Sequence, residues 1–411
     1  MDTSPTKSTG FRSTKIMLIY KDCNGNEGGD NMIYLDNSAT TKPRKSVVES
    51  FHQAALHYFG NPSSIHGLGQ DGERLIRKSR QQAATILQVQ EDEIVFTSGG
   101  TEGNNMAIKG TALAHQNRGK HIITSAIEHP SVLEACQSLE MLGFEVTYLP
   151  VNEDGRVSID QLQENIRQDT ILVSIMHVNN EIGTIQPIRE IGHILKNYPK
   201  IFFHVDFVQG FGKVPLSLKD CKIDMATISG HKIHGLKGTG ILYIRSGVKI
   251  FTLAHGGGQE RGIRSGTENV PGIVSLVKAM RLQTEEQIEK SNYLQGLKQF
   301  LIEELSKIED VVMNTPTESA APHIVNFSVP GLKPEVVIHA LEENEIFIST
   351  KSACSSKSMD ESLVLAACGK EKDISTSGLR ISMSYDNTIE ELEVFLDKLK
   401  VVLQKLYEIM R

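Results

Sequence analysis

Ile201-Phe202-Phe203-His204-Val205-Asp206 and Asp224-Met225-Ala226-Thr227-Ile228-Ser229-Gly230-His231-Lys232 are two apolar runs that each deliver an ionisable residue at their far end. Buried parallel strands read as short apolar runs, and open α/β sheets hold ligands just beyond the carboxyl ends of those strands. The pattern therefore predicts that the Asp206 carboxylate and the Lys232 amine face one crevice. That pair suits pyridoxal 5′-phosphate (PLP), which needs an amine to form a Schiff base and an anion against its ring nitrogen.

Outward from this pair, strand-like and helix-like segments alternate from Ile33 onward with short Gly or Pro punctuation. Strands are predicted at 93–97, 121–125, 144–150, 171–177, 201–206, 225–229 and 240–245, many separated by a helical or loop-length connection. Such spacing favours a mostly parallel, doubly wound α/β sheet. Val47, Val48, Phe51, Ala54, Ala55 and Tyr58 fall at helical spacing, closed by Gly60-Asn61-Pro62. Ser131 with Glu134 matches a capping box ahead of the apolar face of Val132, Leu133, Cys136, Leu139 and Leu142.

After Asn269 the texture changes to long charged amphipathic helices, around 287–308 and 389–410, with strands near 324–329 and 379–384. These predict a second, smaller α+β domain. The expected organisation is a disordered extension over 1–31, a large cofactor-binding domain over 46–286, and a small domain from 32–45 and 287–411 that carries a mobile cysteine loop.

Length and composition limit the alternatives. A chain of 411 residues predicts about two or three domains, and 39% hydrophobic with 23% charged residues is ordinary for a soluble globular protein. No stretch approaches the roughly 20 uninterrupted apolar residues of a membrane span. A formal net charge of -7, with both signs dispersed, argues against a nucleic-acid groove as the main function. Cys23, Cys136, Cys221, Cys354 and Cys368 are odd in number and lack metal-ligand spacing, which reads as reduced thiols in a cytoplasmic protein. The first thirty or so residues lack the apolar core of a signal peptide.

Several residues could carry chemistry, and each has a plainer reading. Ser98-Gly99-Gly100-Thr101 stands where a strand hands over to a helix, so unpaired N–H groups and the positive helix end would converge on a phosphate. A Gly-Gly turn is also often only a turn. Asp206 ends an apolar run and needs a cationic partner, which a protonated pyridine nitrogen, a salt bridge or a helix cap could each satisfy. Lys232 competes with many surface lysines, and His129, before Pro130, is either a ring-stacking aromatic or a loop histidine. Cys354 lies in the polar, small-residue stretch Ser352-Ala353-Cys354-Ser355-Ser356-Lys357, and the nearby cation makes it the best candidate for a reactive thiolate. Cys136 and Cys368 read as core packing. Neither the dinucleotide fingerprint nor the P-loop pattern is present.

Taken together, these residues resemble the NifS/IscS type of cysteine desulfurase, from about Met32 to the end. The likeness rests on Tyr34-Leu35-Asp36-Asn37-Ser38-Ala39-Thr40-Thr41, Asn61-Pro62-Ser63-Ser64, the turn at 97–105, Glu128-His129, His177-Val178-Asn179-Asn180-Glu181, His204-Val205-Asp206, Ser229-Gly230-His231-Lys232, the segment 261–267 and Ser352-Ala353-Cys354. The short stretch around Cys354 is similar to the NifS/IscS group rather than the SufS-like one.

The resemblance implies the aspartate aminotransferase fold, that is, PLP-dependent fold type I, with a large domain built on a mostly parallel seven-stranded sheet and a smaller α+β domain. It implies Lys232 as the Schiff-base lysine, Asp206 at the pyridine nitrogen, His129 stacked on the ring and in catalysis, and Gln209 at the phenolic oxygen. Gly100, Thr101, Ser229 and His231 would hold the phosphate, with Thr267 supplied by the other subunit of a homodimer. Asn180 and Arg380 would hold the substrate carboxylate, a task that suits the planar fork of arginine. Cys354 would take sulfur from L-cysteine as a persulfide, leaving L-alanine, and pass it to an acceptor such as an iron–sulfur scaffold protein, a tRNA-thiolating enzyme or a thiamine-pathway carrier. A selenocysteine lyase, another PLP lyase, a non-catalytic sulfur-trafficking subunit and a dinucleotide-binding protein are the alternatives. Gly100, Gly103, Gly210 and Leu236 depart from the family pattern, where Ala, Ser, Ser and Pro are common; the departures bear on loop rigidity and phosphate affinity.

Overall fold

The computed structural model describes residues 32–350 and 361–410. The extension over 1–31 and Cys354 lie outside the described residues.

The chain opens with β1 (Ile33–Tyr34), α1 (Lys45–His57) and α2 (Gly67–Leu87). Strands and helices then alternate: β2 (Ile94–Thr97), α3 (Gly100–His115), β3 (His121–Ser125), α4 (Pro130–Glu140), β4 (Glu145–Leu149), α5 (Ile159–Asn165), β5 (Thr170–Ser174), α6 (Ile188–Leu195), β6 (Phe202–Asp206), β7 (Met225–Ser229) and β8 (Gly240–Ile244). The remainder comprises α7 (Val270–Leu305), β9 (Val312–Met313), β10 (Ile324–Ser328), α8 (Pro334–Glu342), β11 (Ile346–Phe347), α9 (Leu363–Ala367), α10 (Lys372–Ser375), β12 (Gly378–Ser382) and α11 (Ile389–Met410).

The central sheet has seven strands in the order β2-β8-β7-β6-β5-β3-β4. Only β8 runs against its neighbours, pairing antiparallel with both β2 and β7, so the mostly parallel α/β sheet is as expected. Successive side chains on a strand face opposite sides, and the sheet accordingly separates two cores. On β3, Ile122 packs with Met106, Val132 and Leu139 beneath α3 and α4. Its neighbour Ile123 packs on the other face with Val173, Phe203, Val205 and Leu276.

A third core, including Leu294, Leu301, Phe327, Ile381 and Phe395, lies under a three-stranded sheet ordered β12-β10-β9. Helix α7 serves two of these cores, with Leu276 and Met280 in the first and Leu294, Leu297 and Leu301 in the third. Asn269 starts it, its Oδ1 accepting the Gly272 N–H at 3.0 Å, with Pro271 in the first turn where no intrahelical donor is lost. Residue 287 falls inside this 36-residue helix.

Local expectations fared unevenly. The expected strand at 171–177 is regular only to Ser174, although the Ile175 and His177 N–H groups still donate to the His204 and Asp206 carbonyls of β6 at 3.1 and 2.9 Å. The capping box at Ser131 is not what starts α4: His129 is the cap, and its ring accepts the Ser131 N–H. Pro130 explains the shift, since its fixed φ suits the first helical position. Cys136 and Cys368 are buried, as their packing predicted.

Candidate active site

Strands β6 and β7 lie side by side in parallel, with Asp206 opposite Thr227. Their carboxyl ends therefore open on the same side of the sheet. Asp206 ends β6, and Lys232 follows β7 on a single tight turn, Gly230–Lys232. Both line one cavity of about 280 Å³ with Gly100, Thr101, His129, Asn180, Gln209, Ser229, His231 and Arg380. That volume is near the lower end of the ~300–1,000 Å³ usual for small-molecule sites. Thr267 is exposed and outside this cavity.

The Asp206 carboxylate is fixed at both oxygens. Oδ1 accepts the Val208 N–H at 3.0 Å and Oδ2 accepts Asn104 Nδ2 at 2.8 Å. The Lys232 amine donates to the carbonyls of Ser38 and Ala39, the latter at 2.7 Å. Residues 37–41 thus bridge the Lys232 turn and β12, because Ser38 N–H also donates to Ser382 Oγ at 2.8 Å. Lys213 is buried, and its Nζ donates to the Lys232 carbonyl at 3.1 Å. Burial, with the Lys232 charge adding to it, pushes the Lys213 amine down to about 7.

The His129 ring is held by its own cap: Nδ1 accepts the Ser131 N–H at 3.1 Å, which puts the neutral ring's proton on Nε2. Burial lowers its pKa and Lys232 adds to that, against the opposing pull of Asp206. His231, chiefly through burial and then Lys232, is pushed down to about 4 and is neutral at physiological pH. Arg380, 1% exposed, donates through Nη1 to the Asn180 carbonyl at 2.9 Å and through Nη2 to Asp36 Oδ1 at 2.9 Å and Ser349 Oγ at 2.6 Å.

The start of α3 lines one part of the cavity through Gly100 and Thr101. Gly99 sits at φ 151°, a conformation that glycine tolerates and other residues avoid. A Cβ added at Gly100 would lie 3.2 Å from Val208 Cγ2, so the backbone is close to the opposite wall. Glu102, in the first turn, accepts the Ser98 N–H and Arg264 Nε, the latter at 2.9 Å. Burial opposes its ionisation, but the bonds from Arg264 and Ser98 outweigh that and hold the carboxyl below its usual range.

PLP fits this arrangement. Four polar atoms on residues of the wall, Ser38 Oγ, Asn104 Oδ1, Gln209 Oε1 and Arg380 Nε, are buried without a hydrogen-bond partner among the described residues. Buried polar atoms are normally satisfied, so a polar ligand is what they lack. A helix start for a phosphate, a fixed carboxylate and an amine stand around the same space.

Residues 33–395 match the aminotransferase class-V family. The chain belongs to the class-V aminotransferases. The cysteine desulfurase IscS of Methanosarcina thermophila is 50% identical over 375 residues, covering 91% of this chain and 92% of that protein. Among solved structures, a NifS-like protein is 40% identical with a TM-score of 0.86, covering 91% of this chain and 99% of that one. The structure of SspA in complex with cysteine is 36% identical with a TM-score of 0.75, covering 85% and 98%.

In this class-V aminotransferase, sequence reasoning gave no site role to Asn104, Lys213 or the Ser38 and Ala39 carbonyls, and read Ser131 only as a helix cap. A buried asparagine inside a helix was the available signal for Asn104, since such a residue needs a polar partner. The carbonyls had none, because any residue supplies one.

Proposed function

We propose that this chain is a PLP-dependent cysteine desulfurase, converting L-cysteine to L-alanine with transfer of sulfur to Cys354 and then to an acceptor. The observation that carries the reading is the meeting of Asp206, held by Asn104, with Lys232 in a cavity whose wall keeps four buried polar atoms without a partner among the described residues. The resemblance of 50% to a cysteine desulfurase favours this over a selenocysteine lyase or a non-catalytic subunit.

When bound, PLP supplies an electron sink for the charge left at the substrate Cα. Lys232 would anchor the cofactor, and its amine would take the Cα proton. Asp206 would keep the ring nitrogen protonated, and His129 would face the ring and relay a proton. Gly100, Thr101, Ser229 and His231 would hold the phosphate, and Gln209 would serve the phenolic oxygen. Arg380 and Asn180 take the substrate carboxylate. The Cys354 thiolate would attack the substrate sulfur, so an S–S bond forms as the C–S bond breaks; the C–S electron pair stays on carbon, which takes a proton to become the methyl group of alanine, and an acceptor thiol then takes the outer sulfur and releases the Cys354 thiolate.

The working form we propose is a cytoplasmic homodimer in which Thr267 reaches the partner's phosphate. Thr267 is exposed outside its own cavity, and Phe59 and Ile65 are 72% and 94% exposed, which supports an apolar surface awaiting cover. The acceptor is an iron–sulfur scaffold or a thiolation protein.

Borohydride treatment of the PLP-loaded protein, followed by peptide mass mapping, should place a pyridoxyl group on Lys232. Assays with L-cysteine should yield alanine and sulfide. Cys354→Ala should keep the visible absorbance and lose the persulfide. Modification of a different lysine, or normal sulfur delivery by the Cys354 variant, would overturn the assignment.

A further inference from the structure

The segment from Ala254 to Thr267 is fastened on both sides of the turn that starts α3. Ahead of the turn, Glu260 is buried at φ 45° beside Arg261 at φ 56°, backbone that non-glycine residues enter only when contacts hold them there. Its carboxylate takes both Nη atoms of Arg80, at 2.8 and 2.7 Å, and the Phe96 N–H of β2 at 3.0 Å. Behind the turn, Arg264 Nε donates to Glu102 Oε1 at 2.9 Å. Between these anchors lie Ser98, Gly99 and Gly100, and neither Arg264 nor Glu102 lines the cavity.

Glu102 is thus a fixed anion at the helix end that the phosphate would use. A helix N-terminus attracts negative charge, but Glu102 already occupies the Ser98 N–H and would repel a second anion. Arg264 is the cation paired with it, with both side chains only about a quarter exposed, at 28% and 23%. The glycines at 99 and 100 leave the turn little stiffness of its own.

We propose that Arg264 is a positioning residue for the cofactor's phosphate: it cancels the Glu102 charge at the start of α3 and ties that carboxylate away from the cavity. This rests on the PLP reading above. The pair acts on the phosphate and not on the aldehyde, so its loss should separate PLP from pyridoxal, the same cofactor without phosphate.

The test titrates cofactor-free protein with PLP and with pyridoxal, following absorbance. Arg264→Ala should weaken PLP by about 3- to 10-fold, the scale of a partly exposed ion pair beside a helix end, and leave pyridoxal unchanged. Added Glu102→Gln should recover most of the loss, since it removes the uncompensated charge, and Arg264→Lys should recover part. High salt should shrink the difference. Equal weakening of PLP and pyridoxal, no weakening of either, or failure of Glu102→Gln to restore PLP would each overturn the proposal. Wild-type protein that binds neither aldehyde would sink the PLP reading itself, a result distinct from these.

Discussion

Asn104 Nδ2 donates at once to Asp206 Oδ2, at 2.8 Å, and to Ser131 Oγ, at 2.9 Å, so one buried amide from α3 joins the end of β6 to the start of α4. Asn104 is 1% exposed. With Val208 N–H on the other oxygen, the carboxylate is set in one orientation before any ligand arrives. Preorganised charge of this kind costs no rearrangement at the moment of reaction.

Asn104→Ala should therefore act through Asp206. Oriented partners behind a functional group are commonly worth about 10- to 100-fold in activity, and a loss of kcat in that range is expected. The cofactor's visible absorbance should shift with it, because Asp206 sets the protonation of the ring nitrogen in the proposed mechanism. Unchanged kcat and spectrum would mean that Asp206 needs no such support.

Asp36 neutralises Arg380, directly at 2.9 Å and by accepting Ser349 Oγ at 2.8 Å. Arg380 is the largest of the fully buried side chains, so removing its counter-ion leaves a buried charge. Asp36→Ala should cost about 2 kcal/mol, below the 3–5 kcal/mol of a fully buried pair because Asp36 is partly exposed. L-alanine should then raise the melting temperature of the variant more than that of wild type, its carboxylate replacing the lost one. Equal shifts in both proteins would remove Arg380 from the substrate site.

What was legible in the chain and what was not divides along physical lines. Asp206 and Lys232 could be placed because a strand's direction sends its last residues to one edge of the sheet, whatever the rest of the molecule does. The cap of α4 was misplaced by two residues because a histidine ring can do what a serine hydroxyl does, and composition alone does not rank them. The glycines at 103 and 210 were read only as bearing on loop rigidity and phosphate affinity. In the folded chain a Cβ at 103 would lie 2.7 Å from Thr227 Cγ2, and one at 210 would lie 2.0 Å from His177 Nδ1. Both are close approaches between segments distant in sequence, which no local pattern encodes. The two-residue strands β1 and β11 pair with each other and were missed for the same reason.

Glu128 makes a pH prediction whose sign is definite. Its Oε1 accepts Ser125 Oγ and Met176 N–H, both at 2.8 Å, while Oε2 has no partner among the described residues. Burial pushes the carboxyl up to about 8, with the nearby Asp206 adding to it against the two hydrogen bonds. An unfolded glutamate titrates near ~4.3, so between the two values the folded chain keeps a proton that the unfolded chain has lost. This contribution to stability is complete below the unfolded value. It is lost as pH rises toward the folded one, by up to about 1.4 kcal/mol per pH unit. Glu128→Gln keeps an acceptor for Ser125 and Met176 and cannot ionise. Its melting temperature should match wild type near pH 5 and exceed it increasingly up to pH 8, all other groups titrating alike in both proteins. Parallel curves across that range would show that Glu128 is already ionised in the fold and that its buried oxygen finds a partner by other means.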